Sequence, residues 1–352
     1  MADVLLCGAT HPHAKAHLKT LLLSGSVSSV SLYDPDPSAV DAVRSENPEI
    51  RAGYTDLGDA TGDGAISVAV ACFPNRENEA LSVQLLESGI HVISEKPIAS
   101  TAAGVKRVLG AASAANRLLG VMYQNRFHPL SQEARRIVLS GEIGRITGVE
   151  ARLITSQVRF RNPDHWLFKN EVSGGGILSW LGCHYLDLLR YVTGSEIVRV
   201  SGMVDTLSGE SIDVEDVASL TLKFEGGFLG SLQAGYQLAL SKSGYMGPNY
   251  ETYMTVRGTE GRVVWEPSGS EIKLLVESAQ RGDSPAREIA FSLPSVDAYG
   301  GAYGLAFLDQ FIASTQSTDV AVPAAGSDAY AVAKVIEAAY ESSKLGRHVD
   351  IG

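Results

Sequence analysis

The chain has 352 residues, and its 40 Asp and Glu against 29 Lys and Arg give a formal net charge of −11. Hydrophobic residues make up 45% and charged residues 20%, as in globular proteins and unlike disordered ones. At about 150 residues per domain the length predicts two domains, and the acidic balance argues against nucleic acid or an anionic membrane as the partner. No run reaches the roughly 18 apolar residues that a membrane-spanning helix needs.

The cysteines and the first residues indicate a compartment. The opening MADVLLCGAT has no basic segment and no small-residue cleavage site, so we expect no secretion signal. Cys7, Cys72 and Cys183 are scattered in apolar contexts, which favours reduced thiols over a disulfide framework. Neither Cys-x-x-Cys nor a His/Cys cluster at zinc spacing occurs, so we expect no metal. These features predict a cytoplasmic protein.

The first 125 residues alternate short apolar runs with helical stretches. The predicted strands are Val4–Cys7, Val30–Tyr33, Ser67–Cys72, His91–Ser94 and Leu118–Met122. The predicted helices are Ala14–Leu23, Glu77–Glu87 and Thr101–Ala115. Because strands that alternate with helices form βαβ units, residues 1–125 are predicted to be a Rossmann-type, doubly wound parallel sheet.

Residues 126–352 have a different texture, with successive strands joined by short turns. The predicted strands are Val149–Ser156, Val198–Val204, Val217–Phe224, Phe228–Gln233, Thr252–Arg257, Gly261–Trp265 and Ile272–Val276. The predicted helices are Ile177–Val192, Tyr303–Ser314 and Ser327–Leu345. This pattern predicts an α+β domain with a large, mainly antiparallel open sheet. Since helices of one chain cover one face of such a sheet, we expect the other to pack on a second subunit in a homo-oligomer, a dimer or tetramer.

The turn after the first strand reads GATHPHA at residues 8–14. A dinucleotide-binding turn has the pattern G-x-G-x-x-G, whose glycines let the backbone approach the pyrophosphate. Here Gly8 matches, while Thr10 and His13 occupy the second and third glycine positions, so the segment by itself favours an ordinary βα turn. The pair His11 and His13 raises the question of a metal, but two histidines without a third ligand more often make hydrogen bonds or contact phosphate.

Asp34 strengthens the dinucleotide interpretation. It ends the second predicted strand, 26 residues after Gly8, where an acidic side chain accepts both ribose hydroxyls of NAD and repels the 2′-phosphate of NADP. The alternative is a turn aspartate before Pro35, which is a common arrangement. Together with the strand–turn–helix pattern, Asp34 favours NAD over NADP.

Lys96 is a candidate for contact with substrate. Glu95-Lys96-Pro97 follow the carboxyl end of a predicted strand, where open α/β sheets bind ligands. A lysine there can donate a hydrogen bond to a substrate hydroxyl or carbonyl. The alternative is a solvated surface charge.

The predicted helix Ile177–Val192 carries a second candidate, His184. Ile177, Trp180, Leu181, His184 and Leu188 recur at steps of three and four, which predicts one buried stripe with His184 pointing inward. A buried histidine on an apolar face is more often a hydrogen-bonded core residue. Three glycines, 174–176, precede the helix, and there the backbone and the first-turn N–H groups suit an anion or a polar substrate.

At this point the residues resemble the Gfo/Idh/MocA oxidoreductases. The matching motifs are Glu95-Lys96-Pro97, Gln124-Asn125-Arg126-Phe127-His128-Pro129, Gly174-Gly175-Gly176, Gly182-Cys183-His184-Tyr185-Leu186-Asp187, Gly258-Thr259-Glu260-Gly261, Ala338-Ala339-Tyr340-Glu341-Ser342 and Gly346-Arg347. The resemblance spans the whole chain, and the combination of motifs is specific where each one is weak.

The resemblance implies an enzyme that binds NAD(P) on its N-terminal domain and oxidises a sugar or polyol. It implies that Lys96 contacts the reacting hydroxyl, that His184 is the acid/base and that Arg126 lies near the nicotinamide, while Pro74 and Asn75 flank the cofactor cleft. The full set expected at the cofactor is Gly8, Thr10, His11, His13, Asp34, Cys72, Pro74, Asn75, Glu95, Lys96 and Arg126.

One departure from the family affects the expected chemistry. Many dehydrogenase members have Asp four residues before the histidine, and this chain has Trp180, which cannot accept a proton. Either His184 works with Lys96 alone or another carboxylate substitutes. Asp164 is the nearest polar candidate in sequence, and His165 is a further candidate base. Trp166 and Trp180 are expected to stack on the apolar face of a sugar, as a larger glycoside would require.

The leading hypothesis is an NAD-dependent dehydrogenase of a sugar, polyol or glycoside. The first alternative is an NAD-dependent lyase or glycosidase that oxidises its substrate transiently and releases no NADH. The second is a non-catalytic regulator that senses a nucleotide or sugar on the same fold. Fold does not determine function, so these hypotheses depend on the site.

Overall fold

The computed structural model describes residues 1–240, 250–267 and 271–352. Its strands, in chain order, are β1 (Ala2–Cys7), β2 (Val27–Tyr33), β3 (Ala52–Tyr54), β4 (Ile66–Ala71), β5 (His91–Ser94), β6 (Leu119–Val121), β7 (Ile146–Ser156), β8 (Ile197–Asp205), β9 (Val217–Phe224), β10 (Leu229–Leu238), β11 (Tyr250–Gly258), β12 (Gly261–Trp265), β13 (Lys273–Ser278), β14 (Ala286–Ala290) and β15 (Val349–Asp350). Its helices are α1 (Ala14–Leu23), α2 (Pro37–Glu46), α3 (Leu57–Thr61), α4 (Asn75–Glu87), α5 (Ala102–Ala115), α6 (Pro129–Leu139), α7 (Asn170–Ser173), α8 (Cys183–Thr193), α9 (Gly301–Gln316) and α10 (Gly326–Leu345).

The chain forms two compact units, and each unit is built from two separate segments of the sequence. The first unit comprises residues 1–124 and 294–330, and the second comprises 125–293 and 331–352. The sequence predicts that residues 126–352 form the second domain. In the structure, segment 294–330 belongs to the first unit instead.

The reason that segment 294–330 belongs to the first unit is its contact with strand β6. The backbone N–H of Val121 donates to the carbonyl oxygen of Ala324 at 3.0 Å, and Gly120 forms an antiparallel bridge with Ala325. Gly120 also has the ring of Phe311, on α9, where a Cβ would stand. The returning segment therefore covers the edge of the first sheet.

The first unit confirms the predicted Rossmann-type sheet. Its strand order is β3-β2-β1-β4-β5-β6, and every neighbouring pair is parallel. The central strands are buried on both faces, as in doubly wound sheets, with Leu5, Val68 and Val92 each 0% exposed. Helices α2 and α3, together with β3, lie between predicted elements. An N-cap explains α2, since the carboxylate of Asp36 accepts from Ser38 N and Pro37 begins the helix.

The second unit confirms the predicted large, mainly antiparallel sheet. Its order is β14-β13-β12-β11-β7-β10-β9-β8-β15, and β7 and β10 form a parallel pair within it. Strand β9 alternates in burial, with Leu220 and Leu222 buried while Ser219 and Thr221 are exposed. One face is therefore apolar, and helix α8 packs against β7.

The predicted helix Ile177–Val192 differs from the expected single stripe. Residues Leu178–Gly182 form a turn of π-helix, and the α-helix α8 begins at Cys183. Every residue from Ile177 to Arg190 is buried. The residues of the predicted stripe are buried, His184 among them, which confirms that part of the prediction. The other positions are buried as well, so the helix is enclosed on all sides rather than amphipathic, and the π turn interrupts the 3.6-residue period.

Within the part of the chain that the structure describes, no helix combines the length and the apolar character that crossing a membrane requires.

Candidate functional site

The residues predicted at the cofactor in the first unit lie at one edge of its sheet. They follow the carboxyl ends of β1, β2, β4 and β5, which meet at the same edge because these strands are parallel. The strand order reverses between β1 and β4, the position where such sheets bind ligands. His11, after β1, and Cys72, after β4, meet across this position with Nδ1 3.0 Å from Sγ. Burial raises the pKa of the Cys72 thiol well above its usual value.

Position 8 requires a glycine, because the turn after β1 passes close to the backbone that follows β4. Its φ of +100° is in the region that favours glycine, and a Cβ there would lie 2.0 Å from the carbonyl oxygen of Cys72. The N–H of Gly8 donates to Tyr33 O at 2.9 Å, so the turn is bonded to the end of β2 as well. Thr10, at the second glycine position of the motif, is exposed on the outside of the turn.

Asp34 ends β2, as the sequence predicts, and bonds the same turn. Its Oδ2 accepts a hydrogen bond from the N–H of Ala9 at 2.8 Å, and its Oδ1 accepts from Asp36 N at 3.0 Å. The residue is 4% exposed. A carboxylate has about four lone-pair sites, so two acceptor positions remain beyond these bonds.

A cluster of buried ionisable side chains lies beside this turn. Glu95 Oε1 is 2.9 Å from His13 Nδ1 and 2.6 Å from His17 Nε2. Glu95 Oε2 accepts from the backbone N–H of Lys96 at 3.0 Å and lies 4.0 Å from the Lys96 ammonium. Tyr299, from the returning segment, places its hydroxyl 3.2 Å from His13 Nδ1. We call His13, His17, Glu95, Lys96 and Tyr299 the Glu95 cluster.

The charges in the Glu95 cluster follow from its burial and its contacts. Burial lowers the pKa of His13 to about 4 and lowers the pKa of His11 well below its usual value. Burial works to raise the pKa of Glu95, but His13, His17 and Lys96 outweigh it and hold that pKa well below its usual range. At neutral pH an ionised carboxylate therefore accepts from a neutral His13, and Lys96 is its counter-ion.

The sequence does not single out His17 or Asn78 as residues of the site. His17 lies four residues after His13, so both side chains lie on one side of the start of α1, and that spacing was the available signal. Asn78 donates from Nδ2 to Ser94 Oγ at 2.7 Å and to Ile98 O at 3.1 Å, which holds the chain on both sides of Glu95 and Lys96. The predicted Pro74 and Asn75 stand one helical turn earlier, at the start of α4, and Asn75 is 3% exposed.

In the second unit, a carboxylate of the chain itself occupies the glycine-preceded helix start. Glu215 accepts from the N–H groups of Gly176 at 2.7 Å and Leu178 at 2.9 Å, and from the hydroxyl of Tyr340 at 3.1 Å. Burial raises the pKa of Glu215, and these hydrogen bonds oppose the rise. The expectation that these N–H groups bind an anionic or polar substrate was wrong, because Glu215 takes them.

The same contacts explain two of the three glycines. A Cβ on Gly176 would lie 1.8 Å from the carbonyl oxygen of Glu215, and a Cβ on Gly175 would lie 2.0 Å from the hydroxyl of Tyr340. These glycines permit close packing inside the second unit rather than close approach of a ligand.

The structure brings together the aromatic residues predicted to contact substrate. The rings of Trp166 and Trp180 meet edge to face, with centroids 5.8 Å apart, and His165 lies 5.4 Å from Trp166. His165 Nδ1 accepts from Leu167 N at 3.2 Å, so a neutral ring carries its proton on Nε2 and its one ring-nitrogen lone pair is already engaged by the backbone. Burial lowers the pKa of His165. Asp164 has 92% of its side chain exposed.

His184 and Arg126 lie on elements that contact in the second unit. His184 is 6% exposed and stands in the first turn of α8. Arg126 forms a two-bond ion pair with Asp187, one turn further along the same helix, and its guanidinium lies 5.2 Å from the Tyr191 ring. Arg126, predicted near the nicotinamide, therefore has a carboxylate partner within its own unit.

Family models match both halves of the chain. Residues 2–123 match the oxidoreductase family with an NAD-binding Rossmann fold, and residues 131–264 match the GFO/IDH/MocA C-terminal domain.

Known proteins are similar along most of the length. Levoglucosan dehydrogenase of Pseudarthrobacter phenanthrenivorans is 27% identical over 324 residues, which are 82% of this chain and 81% of that protein. Inositol 2-dehydrogenase of Rhizobium meliloti is 24% identical over 96% of each chain. A solved structure of levoglucosan dehydrogenase in complex with NADH and L-sorbose has a TM-score of 0.87 and 21% identity, over 100% of this chain and 99% of that one. That likeness shows a shared fold.

Proposed function

Because the chain belongs to the Gfo/Idh/MocA family of oxidoreductases, we propose that it is an NAD-dependent dehydrogenase that oxidises a secondary hydroxyl of a sugar, polyol or glycoside. The observation that carries the proposal is Lys96, a lysine 1% exposed and paired with Glu95 at the carboxyl end of β5. A buried cation at the ligand-binding edge of a Rossmann sheet suits contact with a substrate oxygen. The names of the similar dehydrogenases support the same class of substrate.

The residues at the sheet edge fit a bound NAD. Asp34 stands at the end of β2 with two acceptor positions beyond its backbone hydrogen bonds, which suits two ribose hydroxyls. The turn from Gly8 to His13 would face the pyrophosphate, with its backbone and neutral imidazoles supplying hydrogen bonds rather than charge. Pro74 and Asn75 would line the same edge after β4. A charged Asp34 beside the ribose would disfavour the 2′-phosphate of NADP.

The proposed mechanism divides the work between Lys96 and His184. When bound, NAD would supply the acceptor for the hydride that leaves the substrate carbon. The family motifs imply that His184 takes the proton of the hydroxyl on that carbon and that the Lys96 ammonium donates a hydrogen bond to the reacting oxygen, which would stabilise the negative charge that develops there. A carbonyl product, a proton and the reduced cofactor result.

His184 is a better candidate base than the alternatives near Trp166. His165 uses Nδ1 as an acceptor from Leu167 N, and Asp164 is exposed, with its nearest cation, Lys169, at 3.9 Å. We propose that Trp166 and Trp180 present an aromatic surface to the apolar face of the sugar. Of the two, Trp180 stands four residues before His184, where many dehydrogenase members of the family have an aspartate.

We propose further that the enzyme is a homo-oligomer. The face of the second sheet opposite α8 carries exposed apolar side chains, among them Met203 at 80% and Leu229 at 54% exposure. A second copy covering this face would bury them. Light scattering coupled to size-exclusion chromatography measures the state, and a monomer at micromolar concentration would contradict it.

The first experiment is calorimetric titration with NAD⁺, NADH, NADP⁺ and NADPH, followed by a panel of sugars, polyols and glycosides read by NADH absorbance. We expect micromolar binding of NAD(H), weaker NADP(H) and stoichiometric NADH release. Binding of none of the four would end the dehydrogenase proposal. Turnover of a glycoside without NADH release would point to the redox-neutral lyase or glycosidase. His184→Ala is expected to lower kcat by about a hundredfold or more, with His348→Ala, at an exposed histidine, as the control.

A further inference from the structure

Two imidazoles converge on one carboxylate oxygen in the Glu95 cluster. His13 stands just before α1 and His17 within its first turns, and both place a ring nitrogen on Glu95 Oε1, at 2.9 Å and 2.6 Å. Both side chains are 1% exposed, and that of Glu95 is 2% exposed. A buried carboxylate costs free energy unless its lone pairs are satisfied, so these bonds largely determine which way the carboxylate faces.

The other oxygen of Glu95 is directed to Lys96. Oε2 accepts from the Lys96 backbone N–H at 3.0 Å and lies 4.0 Å from its ammonium. Because a carboxylate is planar and rigid, the position of Oε1 determines that of Oε2. The imidazoles therefore act on Lys96 through Glu95.

The ring of Tyr299 holds the two histidines in place. Its centroid is 5.0 Å from that of His13 and 4.4 Å from that of His17, and its hydroxyl is 3.2 Å from His13 Nδ1. Its backbone N–H donates to Thr20 Oγ1 on α1 at 2.7 Å, which fixes the tyrosine against the same helix. The rotamers of both imidazoles are thus restricted by packing.

We propose that His17 and His13 are positioning residues for Lys96: by occupying Oε1 of Glu95 they orient the carboxylate so that Oε2 holds the lysine at the carboxyl end of β5. This inference rests on the proposed function, in which Lys96 contacts the reacting oxygen. Neither imidazole touches substrate in this role. Their effect is on the orientation of the group that does.

The test compares two substitutions of His17. His17→Gln keeps an N–H donor near the position of Nε2, whereas His17→Leu removes it with similar volume. We expect His17→Leu to lower kcat on the best sugar by about 10- to 100-fold, the range found when a hydrogen bond that orients a metal-binding side chain is removed. The KM for NAD⁺ should stay within about twofold, and His17→Gln should stay within about threefold of the parent kcat.

Leu18→Ala is the matched control for loss of packing, since Leu18 is a buried neighbour on α1 at 3% exposure. If Leu18→Ala and His17→Leu lower kcat equally at equal thermal stability, or if Gln fails to rescue, the role of His17 is structural and the inference is wrong.

A second measurement does not depend on turnover. In protein labelled with ¹⁵N-histidine, NMR should show a hydrogen-bonded Nε2–H on His17 and a hydrogen-bonded Nδ1–H on His13, and Glu95→Gln should shift both. If these signals are present but no dinucleotide binds, the proposed function fails while the cluster stands. If they are absent, the inference fails whatever the activity.

One ring nitrogen each of His13 and His17 and one carboxylate oxygen of Glu95 lie within 4.8 Å of one another, so this group could hold a metal ion. Metal analysis of the purified protein therefore belongs to the test. One equivalent of zinc per chain, lost in His17→Leu, would replace the hydrogen-bonded arrangement with a metal site and overturn the inference.

Discussion

Arg126 donates two hydrogen bonds to Asp187, from Nε to Oδ2 at 2.8 Å and from Nη2 to Oδ1 at 2.6 Å. The two side chains are 9% and 1% exposed, so the pair is buried. The residues are 61 apart in sequence, and the pair attaches the segment after β6 to helix α8, on which His184 stands. A two-bond guanidinium–carboxylate pair has a defined geometry that lysine cannot reproduce.

Removing one partner of this pair should be costly. We expect Asp187→Ala to lower the free energy of unfolding by about 3–5 kcal/mol, because it leaves the Arg126 guanidinium buried without its carboxylate. The double variant Arg126→Met/Asp187→Leu should lose less than the single one. Urea denaturation at pH 7 measures both. A loss below about 1 kcal/mol for Asp187→Ala would show that the pair is solvated in solution.

A substitution of Arg126 also tests whether this side chain contacts the nicotinamide. If its main role is the pair with Asp187, Arg126→Met should leave the Kd for NADH within about threefold of the parent value while lowering stability. Calorimetric titration of folded Arg126→Met decides the point. A loss of more than about tenfold in NADH affinity would assign the guanidinium to the cofactor.

Asp34 should determine the choice between the two dinucleotides. Asp34→Asn keeps an oxygen acceptor for Ala9 N–H but removes the charge that repels a 2′-phosphate. We expect the ratio of Kd for NADP⁺ to Kd for NAD⁺ to fall by about 10- to 100-fold, which corresponds to about 1.4–2.8 kcal/mol. Asp36→Asn, two residues further along and at the start of α2, is the control and should leave the ratio unchanged.

Burial of His128 should make stability depend on pH. Its Nδ1 accepts from Leu130 N at 3.3 Å at the start of α6, and burial lowers its pKa from 6.5 to about 4. The unfolded chain binds a proton at His128 more tightly than the folded chain does, so protonation of His128 favours unfolding. The free energy of unfolding therefore has its full value, as far as His128 is concerned, above about pH 6.5 and decreases as the pH falls towards 4. Each pKa unit is about 1.4 kcal/mol, so the loss is about 3 kcal/mol.

His128→Asn should flatten that dependence, because asparagine keeps an acceptor for the helix start and does not titrate in this range. Denaturation at intervals between pH 7 and pH 4 measures the slope, with His348→Asn at an exposed position for comparison. An unchanged slope in His128→Asn would assign the pH dependence to other groups, His13 among them, since burial lowers its pKa to about 4 as well.

Two glycines should respond in opposite directions to alanine. Gly8→Ala places a Cβ 2.0 Å from Cys72 O at a φ of +100°, so we expect a loss of more than about 2 kcal/mol. Gly110 lies within α5, and an added Cβ would have open space beyond the backbone of its own helix, so Gly110→Ala should gain about 0.5–1 kcal/mol. Thermal denaturation of both compares the sites directly. If Gly8→Ala were as stable as the parent protein, the turn must be able to move away from β4.

Several local features could be predicted because they depend on residues close in sequence. The strand His91–Ser94, the helix Ala14–Leu23 and the position of Asp34 at a strand end agree with the structure, since burial period and turn residues encode them locally. The alternation of strands and helices likewise predicted a parallel sheet, which places all strand ends at one edge. The position of Glu95 and Lys96 at that edge follows from topology alone.

Contacts between residues far apart in the sequence could not be predicted from these local patterns. Tyr299 meets His13 across 286 positions, Glu95 meets His13 across 82, and Glu215 meets Gly176 across 39. In the sequence nothing distinguishes Glu215 from other acidic residues, so the sequence predicts a ligand site at the glycine-preceded helix start. The all-round burial of α8 was missed for the same reason, because a period predicts one apolar face and not what covers the others.

The parallel Rossmann-type sheet, the mainly antiparallel second sheet and the family can be inferred from the sequence, because strand and helix patterns and short motifs are local. Three features emerge from the folded chain instead: segment 294–330 belongs with the first unit, two histidines and a tyrosine surround Glu95, and Glu215 fills the helix start. The physical reason is that the partners of a buried charge are chosen by how distant segments pack, and desolvation makes those partners obligatory without encoding them in the neighbouring residues.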